Sequence, residues 1–167
     1  MKALCFLRNV LGSSRGFRES HRRGAKEATR MPDHPSGAPG DAPRILIVED
    51  DLHARRINSL ALSSAGYEIH EAVDGAEAVE RAVALRPDLI VMDLGLPGMS
   101  GLEATRRIKH EMAPTAPLVV VLTARAMRED VEAARRAGCD AHLAKPIDPF
   151  DLVHEVKRLL EARPGAA

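Results

Sequence analysis

At four places in this 167-residue chain an apolar run gives way to a polar residue able to do chemistry. "ILIV" leads into Glu49, Asp50 and Asp51, "DLIVM" into Asp93, "PLVVVL" into Thr123, and "LAKP" carries Lys145. Each residue alone has an ordinary structural use. A strand-end aspartate forms turns or caps a helix, which is the role expected of Asp51, while a threonine fills strands and a lysine charges a loop. Landing together, they complement one another. Carboxylates within a few ångströms repel and resist ionisation unless a cation sits among them. Oxygen donors without clustered Cys or His suit a hard ion, Mg2+ first, with Mn2+ as an acceptable substitute. Asp50 would then ligate directly, Glu49 through water, and Asp93 would supply a further oxygen. Lys145 would offset the remaining charge. Asp93, placed centrally, is the natural nucleophile toward a phosphoryl group, because carboxylates form acyl phosphates. The cation and Lys145 would stabilise the transferring oxygens, and Thr123 would donate a hydrogen bond to one of them.

Convergence requires elements that carry these residues to one rim, and the punctuation supplies them. "RILIV" (44–48) is a continuous apolar run of the kind buried on both faces of a parallel sheet. The segment 51–66 is helical, with Ile57, Leu60, Ala61 and Ser64 expected on the buried face and Gly66 as its stop. "YEIHE" (67–71) alternates like an edge strand, and 75–87 is a helix with Val79, Ala82 and Val83 on one side. A strand at 88–92 precedes a helix at 100–112 that opens on a capping box, Ser100 to Glu103. Then come a strand at 117–123, a helix at 128–138 ending at Gly138, and a short strand at 140–144. The last helix, 148–162, has Asp148 as cap, Pro149 in first position and an apolar stripe of Leu152, Val153, Val156, Leu159 and Leu160. Five strands alternating strictly with five helices predict an α/β fold, a doubly wound parallel sheet with helices on both faces. In such folds the working site lies beyond the carboxyl ends of the strands, where the four places converge.

The first 43 residues read differently. They hold eight Lys/Arg against four Asp/Glu, whereas 44–167 hold sixteen against twenty. "MPDHPSGAPGDAP" (31–43) contains four prolines and two glycines, a linker composition. Residues 1–43 are therefore expected to be a disordered basic extension with a Pro/Gly-rich linker, 44–163 the domain, and 164–167 a flexible C-terminus. Only Phe6 and Phe17 are aromatic among the basic residues of the extension, too few to support base stacking. The chain carries equal numbers of acidic and basic residues, without the positive excess usual in duplex-binding proteins. Cys5 and Cys139 stand far apart, outside metal-ligand spacing, which favours a reducing compartment and a cytoplasmic location. No stretch approaches the roughly 20 apolar residues of a membrane span.

The motifs "VEDD" (48–51), "VMDLGLPGMSG" (91–101), "VLTA" (121–124) and "LAKPI" (143–147) together resemble the receiver domain of two-component response regulators, over about 44–162. The resemblance implies a flavodoxin-like strand order 2-1-3-4-5. It places the family's acidic pair on Glu49 and Asp50, its phosphoacceptor on Asp93, its switch hydroxyl on Thr123 and its lysine on Lys145, with a cis bond before Pro146. The carbonyl of Gly95 would join the metal ligands, and Pro97 and Gly101 would shape the loop and the next helix. Two positions depart from the family's habit. His142 stands where an aromatic ring often swings inward as the hydroxyl moves, and it is carried as a candidate switch. Gly95 lacks the side chain that in many relatives screens the phosphoryl group from water, while Arg125 flanks the pocket two residues after Thr123.

The implied protein is a stand-alone phosphoprotein of a two-component or phosphorelay pathway, with no DNA-binding output domain. It would take its phosphoryl group from a sensor histidine kinase or a histidine phosphotransfer protein, with its own pocket assisting phosphorylation and dephosphorylation. It would meet a downstream target protein through the face of helix 4, strand 5 and helix 5, as a monomer or a weak phosphorylation-dependent dimer. Two other readings compete. One is a binding module that never turns over phosphate. The other is an aspartyl-phosphate hydrolase, against which stands the apolar, glycine-rich surround of Asp93 with no acid two positions on.

Overall fold

A computed structural model describes residues 42–124 and 128–163; residues 1–41 of the expected extension, residues 125–127 with Arg125 among them, and the last four residues lie outside the described residues. Ten elements alternate: β1 (Arg44–Val48), α1 (Leu52–Ser64), β2 (Glu68–Ala72), α2 (Gly75–Leu85), β3 (Leu89–Asp93), α3 (Gly101–Glu111), β4 (Leu118–Thr123), α4 (Arg128–Arg136), β5 (Ala141–Ala144) and α5 (Pro149–Glu161). All strand pairs are parallel, in the order β2-β1-β3-β4-β5. The order reverses direction between β1 and β3, so the chain opens a crevice at the carboxyl ends of those two strands.

The apolar runs are buried because the sheet is covered on both faces. Leu46, Val48, Ile90, Met92, Val119 and Val121 point to one layer, against Ala78, Ala82, Ala104 and Ile108 of α2 and α3. Ile45, Ile47, Leu89, Val91, Val120 and Leu122 point to the other, against Leu62, Leu152, Val156 and Leu159 of α1 and α5. Strand periodicity of two sends alternate side chains to opposite layers, so a continuous apolar strand fills both. Alanines dominate where α2 and α3 approach, and small side chains let helix and sheet pack closely. α5 buries the stripe expected of it, with Val153 and Leu160 at its margin.

Helix termini follow the caps. Asp51, Asp74, Ser100 and Asp148 each accept a hydrogen bond from a backbone N–H in the following first turn. At α3 the box is only half made. Ser100 accepts from the Glu103 N–H, but the Glu103 carboxylate pairs outward with Arg106 and Arg107. Gly66 and Gly138 follow α1 and α4 with φ of +93°, the left-handed conformation that glycine adopts without a Cβ clash.

The buried face of α1 differs from the expected one. Ile57 is 54% exposed and Leu60 70% exposed, whereas Arg55, Asn58 and Leu62 are buried. On α2, Val83 likewise faces outward while Ala78 and Ala82 point in. Apolarity chose the wrong stripe of α1 because its N-terminal half lies over the end of β1. The partners there are backbone carbonyls and a carboxylate, which long polar side chains satisfy and aliphatic ones cannot.

Candidate functional site

β1 and β3 are neighbours, and each delivers acids at its carboxyl end. Glu49 follows directly on β1 and is fully buried; Asp50 next to it is exposed; Asp93 is the last residue of β3 and is buried. One ligating oxygen from each of the three comes within 4.8 Å of the others. β4 brings Thr123 to the same rim, also buried. Its carbonyl accepts from the Lys145 N–H at 2.8 Å, which ties the β4 end to the loop after β5. The peptide bond from Lys145 to Pro146 is cis, as the resemblance implied.

The Lys145 side chain reaches back over this rim. Its ammonium donates to Glu49 Oε2 at 2.6 Å and to Asp93 Oδ2 at 2.8 Å. Asp93 Oδ1 accepts from the Gly95 N–H at 3.0 Å. Burial pushes the Glu49 carboxyl above the ordinary carboxylate range; the Lys145 bond opposes this, and the nearby Asp93 adds to the rise. Burial alone would pull Lys145 down, but its bonds to Asp93 and Glu49 outweigh it and the net shift is upward. One ammonium faces three carboxylates, so the cluster is left with surplus negative charge. The donors are all hard oxygens with no Cys or His among them, which fits Mg2+ and gives no reason to expect zinc.

Two glycines allow close backbone approach at this end of the sheet. A Cβ at Gly101 would run into the Asp93 carbonyl oxygen, and one at Gly75 into that of Met99. At Gly95 a Cβ would stand in ordinary contact, 3.7 Å from both Asp93 carboxylate oxygens, so the missing side chain leaves that approach to Asp93 open. An open cleft of about 430 Å3 adjoins the cluster between α1 and the loop after β5, lined by Glu49, Ala54, Ile57, Asn58, Lys145, Pro146 and Ile147. His142 sits in β5 opposite Val121 and is exposed.

Sequence reading missed Arg55. Its Nη1 donates to the Glu49 carbonyl at 2.6 Å and to the Asp50 carbonyl at 3.3 Å, and its Nε to Glu71 Oε2 at 3.2 Å. Ser59 Oγ donates to the other Glu71 oxygen at 2.6 Å. The available signal was the 55, 58, 62 spacing, a helical stripe disguised by its polar members.

Comparison with known proteins agrees with this geometry. Residues 45–157 match the model of the response regulator receiver domain. The DNA-binding dual master transcriptional regulator RpaA of Synechocystis is 36% identical over 118 residues, 71% of this chain and 49% of RpaA. The polar-differentiation response regulator DivK of Brucella anthropi is 36% identical over 116 residues, 70% of this chain and 94% of DivK. The receiver domain of the sensor histidine kinase PA1611 of Pseudomonas aeruginosa, solved with magnesium in its active-site cleft, aligns with a TM-score of 0.67 at 33% identity. That alignment covers 72% of this chain and 99% of that one. The chain thus spans about half the length of RpaA and nearly all of DivK. It belongs to the response regulator receiver domain family, and its clustered acids and lysine agree with the phosphoaccepting function of that family.

Proposed function

We propose that Asp93 accepts a phosphoryl group from a phosphohistidine donor, on a sensor histidine kinase or a histidine phosphotransfer protein, and that the protein then switches partner binding or relays the phosphate. The single observation that carries this reading is the buried Asp93 carboxylate, held at one oxygen by the Lys145 ammonium within an acidic cluster of hard donors. Asp50, Asp93 and the Gly95 carbonyl would hold Mg2+, with Glu49, already engaged by Lys145, acting through water. Bound there, the ion would neutralise the phosphoryl oxygens as the donor approaches.

In the transfer, an Asp93 oxygen attacks phosphorus while the donor's N–P bond breaks. The departing imidazole keeps the bonding pair and takes a proton from solvent. Lys145 moves with the displaced charge, since an ammonium on a flexible stem can follow a new oxygen. The Thr123 hydroxyl then donates to a phosphoryl oxygen, and His142 senses that engagement from β5. The target would meet the face of α4, β5 and α5, where β5 is an edge strand and Phe150 of α5 is 77% exposed. The reading is completed by a role in the cytoplasm, as a monomer or a weak phosphorylation-dependent dimer. Among the described residues no helix is long and apolar enough to cross a membrane.

Incubation with acetyl phosphate and Mg2+ tests the acceptor. One phosphoryl group should be added, and none to Asp93→Ala. Asp50→Asn should lose Mg2+-dependent labelling while its thermal midpoint without metal rises, since a repelling charge is gone. Labelling that survives Asp93→Ala would place the acceptor elsewhere. Mg2+ binding without any label would turn the protein into a binding module.

A further inference from the structure

Arg55 is a cation in the wrong place for a simple counter-ion. It stands beside the acidic cluster, yet its guanidinium bonds to none of the three cluster carboxylates. It is 8% exposed, and a buried guanidinium is costly unless paired and hydrogen-bonded. Its pairing is with Glu71 of β2, whose carboxyl is held below its ordinary range first by the Ser59 hydroxyl and then by Arg55 itself. The Arg55 charge is therefore matched outside the cluster, and the cluster keeps its surplus for another cation.

What Arg55 does hold is backbone. The Glu49 carbonyl belongs to the peptide before the Asp50 Cα, and the Asp50 carbonyl to the peptide after it. One guanidinium nitrogen thus grips both peptide planes flanking Asp50, which are the planes that set its φ and ψ. The exposed Asp50 carboxylate is aimed by that backbone. Asp51 cannot do this work, because its side chain caps α1 at the Ala54 N–H.

We propose that Arg55 is a positioning residue for the metal site, a clamp anchored through Glu71 and Ser59 that fixes the direction in which Asp50 presents its carboxylate. The inference rests on the metal reading given above. Outer partners that orient metal ligands typically contribute about 10–100-fold in affinity, and a fork of nitrogens is what lets one side chain hold two carbonyls and a carboxylate.

The test is titration of the full chain with MgCl2, followed by backbone amide shifts well below the thermal midpoint, with the midpoint measured separately without metal. Arg55→Met should raise the half-saturating Mg2+ concentration about 10-fold or more. Arg55→Lys, which keeps the charge but loses the fork, should fall between it and wild type and also supplies the answer if Arg55→Met does not fold. Asp88→Asn, at the opposite end of the sheet, should lower the midpoint with half-saturation unchanged, which separates positioning from mere destabilisation. Folded Arg55 variants that bind Mg2+ as wild type does would overturn the clamp alone. A wild type with no saturable shift would overturn the metal reading and the clamp with it.

Discussion

The two ends of the sheet use the same residue types to opposite effect. At the amino ends of the strands, Asp88 accepts from the Arg44 N–H at 2.9 Å and faces the Arg163 guanidinium at 3.5 Å. Asp140 accepts from the Val119 N–H and from Lys109 Nζ, both at 2.7 Å. Each of these acids has a backbone donor on a neighbouring strand and a basic partner of its own, so each works as a strand clamp. At the carboxyl ends Glu49 and Asp93 share one ammonium, with the Asp50 carboxylate clustered beside them. Charge that is matched locally stabilises the fold. Charge left unmatched in a crevice is stored for a ligand, and the fold tolerates it there because the rest of the sheet supplies the stability.

The contrast breaks most sharply by exchanging roles. Asp93→Ala should abolish labelling by acetyl phosphate and leave the thermal midpoint equal or higher, whereas Asp140→Ala should label normally and lose about 1–2 kcal/mol, because the Val119 N–H forfeits its partner. Denaturant melts and labelling on both proteins check this; a fold that weakens on loss of Asp93 would make it a clamp like the others. Next in size is Gly101→Ala, whose Cβ meets the Asp93 carbonyl oxygen. It should cost about 2–3 kcal/mol by overpacking and slow labelling by displacing the β3 end.

Lys145→Met comes third, and its sign depends on pH. The raised Lys145 value means that its contribution is fully present below the ordinary lysine range and is lost only as pH rises through the folded value. Lys145 is thus constant between about pH 5 and 8. Glu49 is also raised, by burial, so the cost of its charge is present above its folded value and is relieved as pH falls. Removing Lys145 should therefore cost about 2 kcal/mol near neutrality, below the range of about 3–5 kcal/mol for a fully buried broken pair because the ammonium is partly exposed, and less on acidification. A gap between wild type and variant that widens toward pH 5 in thermal melts would contradict the assignment of Glu49. The smallest effect is expected of His142→Phe. It should label as wild type but change the affinity of the phosphorylated protein for its partner, since a phenyl ring can move inward without burying polar ring nitrogens. Identical binding profiles would make His142 an ordinary exposed strand residue.

Most of the fold was legible because strands buried on both faces are apolar without interruption, and α1, α2, α3 and α5 announce their starts with Asp or Ser. β3 extends one residue further than its apolar run, taking Asp93 into the ladder opposite Leu122. That extension escapes a hydropathy reading, since the pairing is made by backbone and not by side chain. The buried face of α1 escaped for the same kind of reason. Ile57 and Leu60 suggested one stripe, while Arg55 and Asn58 lie on the buried one.

By itself, then, the sequence determined the element order and the doubly wound class, and it named Glu49, Asp50, Asp93, Thr123 and Lys145 as candidates, because strand-end position and residue chemistry are local properties. Tertiary structure alone decided how those charges are shared: Lys145 bonds Glu49 and Asp93, while the Arg55 guanidinium goes to two carbonyls and to Glu71 on β2. Which cation meets which acid depends on distances between segments far apart in the chain, and only the packed sheet sets those distances.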